Sequence, residues 1–362
     1  MKIFSRRYRT LWIPSVLLCS FLLSCSARKA FVINPEFRFM LPPKELSLEF
    51  ERPLKLFLDN AELYVFYFET EGVKKWKDYF LNNAYGREIV SLLFERQGRM
   101  RKLMRHLREN DIPEEFAFLA FIESYLNDRA VSRKGASGTW QFMKHTASRS
   151  GLYVSWWCDE RFNLEKSTLA AINYLKKLYA IFNDWQLVVL AYNYGENGVQ
   201  RALEMFGTEE MYAHLPRETR DFLLKIKALV QLFGDYEFIE AEEEDTVLHP
   251  FYDLWLFEDI AEGLKIKKKV LQDLNPEYRA GMVMKGCHYL RIPAAAASRL
   301  PLLKKRNGKS SKILKVKIQK GDTVYGIARR YNVNFKKLLS VNSIQNPRKI
   351  KPGQELIVPL VF

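Results

Sequence analysis

The chain has 362 residues, enough for two or three domains with a sizeable core. Its net charge of +15 sits at the two ends: residues 301–362 carry fifteen Lys and Arg against Asp322 and Glu355, Lys2, Arg6, Arg7 and Arg9 lie at the start, and residues 11–300 are near neutral. Of the four cysteines only Cys158 and Cys287 lie beyond residue 25, so no disulfide framework is implied; the five histidines fall in no metal-ligand spacing, and neither a metal nor a cofactor is expected.

The first element in chain order is a leader. The basic start is followed by an apolar run from Leu11 to Leu23, the layout of a secretory signal and too short for a comfortable membrane span. Leu22-Leu23-Ser24-Cys25 resembles a bacterial lipobox. That resemblance implies a lipoprotein signal peptide at 1–24 and a lipidated Cys25, and Ser26 in place of Asp implies sorting to an outer membrane. An N-terminal anchor helix with an incidental cysteine is the other reading. On the lipoprotein reading the chain faces the periplasm, held to the membrane through its lipid. An exported chain rarely meets nucleic acid, so the basic tail is expected to meet an acidic envelope polymer or anionic lipid, or merely to solubilise.

Residues 25–85 mix apolar and charged positions, with helical spacing at Trp76, Tyr79 and Phe80, and read as an N-terminal helical extension packed onto the segment after it. Residues 86–235 are dense helix. The acidic run Tyr236 to Asp245 reads as a solvated linker, and residues 296–312 as a basic one. Beyond it, 313–362 predicts a strand (Lys315 to Ile318), a turn and cap at Gly321-Asp322-Thr323, a helix through Tyr331, a break at Asn332, a second helix through Leu339, and a strand at Leu356 to Pro359. A weaker copy lies upstream at 250–295. A shift of 67 residues sets Ile260-Ala261 on Ile327-Ala328, Leu271 on Leu338 and Asn275 on Asn342. Either the small unit is repeated or short helices match by chance.

The segment Phe116 to Leu126 poses the chemical question. Phe116, Leu119, Ala120 and Glu123 share one helical face, and Phe118, Phe121, Ile122 and Tyr125 make the opposite face equally apolar. Asp111 and Glu114 predict a capping box, with Pro113 in the first turn. A helix buried all round carries one carboxylate, Glu123, near its end. Such a group must be paired with a cation or held protonated, and a protonated Glu at the edge of a core can serve as a general acid.

Downstream stand Ser132, Gly135-Ala136-Ser137-Gly138-Thr139-Trp140-Gln141-Phe142-Met143, Arg161-Phe162-Asn163, Ala191-Tyr192-Asn193-Tyr194-Gly195 and Leu215-Pro216-Arg217-Glu218-Thr219-Arg220. With Glu123-Ser124, in this order and spacing, they resemble the soluble-lytic-transglycosylase family of the lysozyme superfamily. Gly321-Asp322-Thr323-Val324, Ile327-Ala328 and Pro352-Gly353-Gln354 resemble a LysM domain, a module that binds N-acetylglucosamine-containing glycans. The expected fold is therefore mainly α: a lysozyme-like helical catalytic domain followed by a small α+β (βααβ) LysM module, with the upstream copy as a degenerate second one.

The resemblance implies an enzyme acting on peptidoglycan glycan strands, with Glu123 as acid and then base. Ser124 follows it, Ser132 would meet the N-acetyl group, Gln141 would hydrogen-bond the sugar and Met143 line the groove, with Trp140 nearby. Tyr192 would sit beside Glu123, and Asn193 would fix loop and substrate. Lys144, Asn163 and Tyr194 depart from the family pattern, where Pro, Asp and a small residue are usual. An ordinary glycosidase needs two carboxylates, and Asp128, Asp159 and Glu160, the nearest by sequence, read as loop residues. One Glu suffices if the muramyl 6-hydroxyl is the nucleophile, closing a 1,6-anhydro ring without water. The alternatives are a lysozyme-type hydrolase, with a second acid facing Glu123, and a non-catalytic peptidoglycan-binding lipoprotein, with Glu123 salt-bridged.

Overall fold

The computed structural model describes residues 64–361 except 156, 241–244, 285, 304–310, 343 and 345. All of them belong to one compact unit, Ser47–Phe362. The leader and Cys25 lie outside the described residues.

The helical domain opens with α1 (Tyr64–Tyr67), α2 (Glu71–Asn82), α3 (Ala84–Glu95) and α4 (Gln97–Arg108). Side chains cap the starts as their chemistry requires: Thr70 accepts from the Val73 N–H, and Asn83 from the N–H groups of Tyr85 and Gly86. Then come α5 (Phe116–Ser124), α6 (Lys144–Arg149), α7 (Leu164–Phe182), α8 (Trp185–Tyr194), α9 (Glu196–His214) and α10 (Arg217–Phe233). Helix α10 lies against α1, α2, α5 and α8, so the first helices close over the far side of the domain. Helix α5 is the centre: Phe116 through Phe121 are all buried, and Phe116 meets Trp185 edge-on at 5.1 Å.

The capping box before α5 does not form. Asp111 adopts a left-handed φ of +57°, Glu114 pairs with Arg108 at 2.6 Å, and the helix begins at Phe116 with no side-chain cap. The acidic run after α10 also departs from the linker reading at its start. Phe238 is buried against Phe94 and Phe118, and Glu240 pairs with Arg105.

Two small α+β modules come next. In the first, β1 (Thr246–Pro250) pairs antiparallel with β4 (Tyr289–Pro293), and β2 (Trp255–Leu256) with β3 (Met282–Val283); α11 (Phe257–Leu264) and α12 (Lys268–Leu274) lie between, with α13 (Ala294–Ala297) after. In the second, β5 (Ser311–Lys317) pairs antiparallel with β6 (Glu355–Val361) around α14 (Val324–Arg330), which Thr323 caps, and α15 (Phe335–Val341). The 67-residue repeat is a structural one. Lys265 and Asn332 both end their helix in left-handed φ, +55° and +51°. Asn275 donates to Leu271 O (2.9 Å) and Arg291 O (2.8 Å) and accepts from Arg291 N (2.7 Å). Asn342 repeats these bonds with Leu338 O, Ile357 O and Ile357 N at 2.8, 2.7 and 2.7 Å. Each Asn ties the second helix of its module to the last strand.

Residues 296–303, expected as linker, are part of the first module. Ala296 is buried, Leu300 and Leu303 pack on its core, and Arg299 donates to Leu264 O at 2.9 Å.

The first module is also joined covalently to the helical domain. Cys158 and Cys287, for which the sequence implied no partner, form a disulfide across 129 residues. Trp157 and Cys158 share the module's core, the Asp159 N–H donates to Glu277 O at 2.9 Å, and Arg129 donates to Gln272 O at 2.6 Å.

Candidate active site

The end of α5 is turned sharply outward. Tyr125 and Leu126 both take left-handed φ values, +53° and +59°, and their carbonyls are held by Arg96, just before α4, and Arg99 within it. Two consecutive non-glycine residues in this region are unfavourable on their own, and the two guanidiniums supply the compensation. The turn leaves Glu123 at the last exposed edge of an otherwise buried helix. Its carboxyl makes no hydrogen bond or ion pair among the described residues, so the salt-bridged alternative lacks a partner there. Burial, and secondarily the charge of Glu218, push its pKa from 4.5 up to about 7. Desolvation disfavours the ionised form with no cation to offset it.

Glu218 is a second carboxylate that the sequence did not single out for this role. It lies exposed in the first turn of α10, and its charge repels that of Glu123. Its signal was the Leu-Pro-Arg-Glu-Thr-Arg motif, which carried family resemblance alone.

The loop from Ala130 to Met143 is held by polar contacts as well as by the packing of Trp140 and Phe142. Arg161 is buried and fully engaged: it grips both carboxylate oxygens of Asp159 (2.9 and 2.7 Å) and donates to the carbonyls of Gly135 and Phe142, each at 2.9 Å. Asp159 lies in a loop, as expected, but is buried there against Arg161. Gly138 has a φ of +79°, and a Cβ there would lie 1.7 Å from Arg161 O, so the loop can approach Arg161 only with glycine at this position. Gln141, at φ +48°, donates its amide to Gly138 O at 2.8 Å.

Two residues expected near the sugar serve this scaffold instead. Ser124 is turned inward and donates to Thr139 O at 2.8 Å, pinning α5 to the loop. Trp140 is fully buried, its indole N–H donating to Thr168 Oγ1 at 3.0 Å. Ser132 starts the exposed 132–136 turn, and its hydroxyl accepts from the Ala136 N–H at 3.0 Å.

Helix α8 forms the other wall. Asp184 caps it, and Tyr192, near its end, donates its hydroxyl to Trp140 O at 2.7 Å. Burial and the neighbouring Glu123 charge hold the phenol neutral. Tyr192 lines a cleft of about 800 Å³ together with Gln141, Met143 and Asn193. Four of the expected residues are brought together on this cleft. Glu123, Ser124 and Ser132 stand outside its lining, and the Glu123 charge is felt by Tyr192 on its wall.

Asn163 departs from the family pattern for a visible reason. Its oxygen caps α7 by accepting from the Lys166 N–H at 3.0 Å, while its amide donates to the buried Glu277 of the first module at 2.6 Å. An Asp could cap the helix but would face Glu277 with like charge.

Comparison with known proteins agrees with this geometry. Residues 103–215 match the transglycosylase SLT domain, residues 316–359 the LysM domain, and residues 256–306 the LysM-like domain of the lytic transglycosylase MltD. The last match falls on the degenerate copy. Over 320 residues, 80% of this chain and 69% of the other, the sequence is 26% identical to membrane-bound lytic murein transglycosylase D of Escherichia coli (strain K12). The protein of the same name from Escherichia coli O6:H1 matches to the same extent.

Proposed function

We propose, from the premise that the chain is a lytic transglycosylase of the SLT type carrying LysM modules, that it cleaves peptidoglycan strands with Glu123 as sole acid and base. The observation that carries this reading is the Glu123 carboxyl, unpaired among the described residues and desolvated enough that a substantial part stays protonated near neutral pH, with its charge felt by Tyr192 on the wall of the cleft. Protonated Glu123 gives its proton to the glycosidic oxygen between N-acetylmuramic acid and N-acetylglucosamine as that bond breaks. The resulting carboxylate takes the proton of the muramyl 6-hydroxyl, whose oxygen bonds to the anomeric carbon. The product ends in a 1,6-anhydro ring, no water is consumed, and Glu123 is returned protonated.

The loop clamped by Arg161 and the α8 wall supply what this chemistry needs from the protein, a fixed sugar position. A misplacement of about 1 Å can lower the rate on the order of 100-fold. Gln141, Met143 and Asn193 hold the sugar, with Ser132 approaching from the rim. The protein works in the cell envelope, and we assign it to the outer membrane through a lipid on Cys25.

Digestion of purified sacculi with the protein and its Glu123→Gln variant tests the assignment by product mass. Muropeptides one water lighter than hydrolysis products, absent with the variant, are expected. Reducing ends at full mass would instead make it a hydrolase, with Glu218 the first candidate for the second carboxylate; sacculi bound but uncut would leave a binding protein.

A further inference from the structure

We propose that the basic part of the cleft, the arm lined by Arg149, Lys177 and Arg201, binds carboxylates carried by the muramyl residues, so that the enzyme discriminates among strands by what is attached to them. This rests on the strand-cleaving function proposed for the same site. A strand of N-acetylated sugars offers a protein neutral hydroxyls and amides, which call for no cation. Yet Arg149 of α6, Lys177 of α7 and Arg201 of α9 all line this arm, against one lining carboxylate, Glu196, a net of +2.

Glu196 offsets only part of this charge, although Arg149 acts on it electrostatically. It is already taken by Lys177 Nζ and by the Tyr174 hydroxyl, both at 2.9 Å. Arg149 and Arg201 have no carboxylate within ion-pair distance among the described residues, and Arg201 is exposed. Two guanidiniums in a concave site, with their planar forks unmatched, suit carboxylates in particular. The same wall carries Tyr194, 44% exposed where a small residue is usual in the family. Gly198 makes room for it: a Cβ there would lie 2.6 Å from the ring. The ring gives an apolar face beside the cations, as a peptide with small side chains would require.

Two groups on a muramyl residue could present the carboxylate. One is the peptide stem. The other is the lactyl group itself, which is free only where the stem has been removed. The experiment compares cleavage of peptide-bearing strands with cleavage of amidase-stripped strands by the full-length protein, its Arg149→Gln/Arg201→Gln variant, and Lys176→Gln, a control charge change on exposed α7 surface outside the cleft.

A fall in kcat/KM of about 10-fold is expected on one substrate and not the other, diminishing as salt is raised, with Lys176→Gln unchanged. A fall confined to peptide-bearing strands assigns the stem, and one confined to stripped strands assigns the lactyl carboxylate. An equal fall on both, or none, overturns the proposal. Reducing ends in place of anhydro ends would sink only the transglycosylase reading, since cleavage of any kind reports on the arm. Complete absence of cleavage by the unaltered protein would take both down.

Discussion

Replacing Glu123 by Gln should destroy activity and stabilise the fold, by an amount that grows with pH. In the folded chain burial and Glu218 raise the carboxyl from 4.5 to about 7. A carboxyl with a raised folded-state pKa contributes fully below its unfolded value, and that contribution is lost as pH climbs from 4.5 towards 7. At about 1.4 kcal/mol per pKa unit, the native enzyme is penalised by about 1 kcal/mol at about pH 5 and by about 3 kcal/mol at about pH 8. Because Glu123 keeps some contact with solvent, these are ceilings. Glu123→Gln carries no charge and escapes the penalty. The gap in melting temperature between variant and native protein should therefore widen by roughly 5 °C between those two pH values. Paired thermal scans measure it. A gap that stays constant with pH would refute the claim that Glu123 is desolvated and unpaired, whatever the variant does to turnover.

The same carboxyl sets the rate profile. It must arrive protonated, so kcat/KM should fall about tenfold per pH unit above about pH 7, and Glu218→Gln, by removing the repelling charge, should move that limb to lower pH. Cys158→Ser with Cys287→Ser should lower stability by about 2–4 kcal/mol, and in the native protein both thiols should react with an alkylating reagent only after reduction. Asn163→Asp would set two carboxylates where the amide now donates to Glu277 at 2.6 Å. It should loosen the first module by about 1–3 kcal/mol at neutral pH, seen as faster limited proteolysis near the junction, with partial recovery at about pH 5 as one of the pair takes up a proton.

What the sequence disclosed, it disclosed through periodicity and exception. The α5 segment is apolar on every face, which permits only a central buried helix, and Glu123 stood out because it broke that pattern. The two modules were legible because Asn275 and Asn342, and Leu271 and Leu338, must recur for the same helix–strand tie to form. What it concealed depends on chain segments far apart in sequence. Nothing near Cys158 announces Cys287, and nothing near Asn163 announces Glu277. The capping box failed because Arg108, one helix earlier, takes the Glu114 carboxylate that the local rule needed. The inward direction of Ser124 and Trp140 was not legible, because a motif records that a residue is needed, not which way it faces. Both face the scaffold, where Thr139 O and Thr168 satisfy them.

The first module is braced against the catalytic loop rather than tethered beside it. Glu277 O accepts from the Asp159 N–H, Asp159 grips Arg161 through two bonds, and Arg161 holds the carbonyls of Gly135 and Phe142 on either side of Gln141. Each link is short and largely buried, where polar bonds are strong and an orphaned partner is costly. Glu277 itself is nearly enclosed, its pKa raised by burial despite Asn163 and Arg291 beside it. A carboxyl inserted so deeply is weak evidence for stability, but its bonds to Asn163 and to Arg291 tie the module to the start of α7 and to its own last strand. The module therefore fixes the geometry of the loop that carries Gln141. The second module is packed onto the first as well, since its Val341 and Ile357 share the core built around Phe257, Leu264 and Leu271.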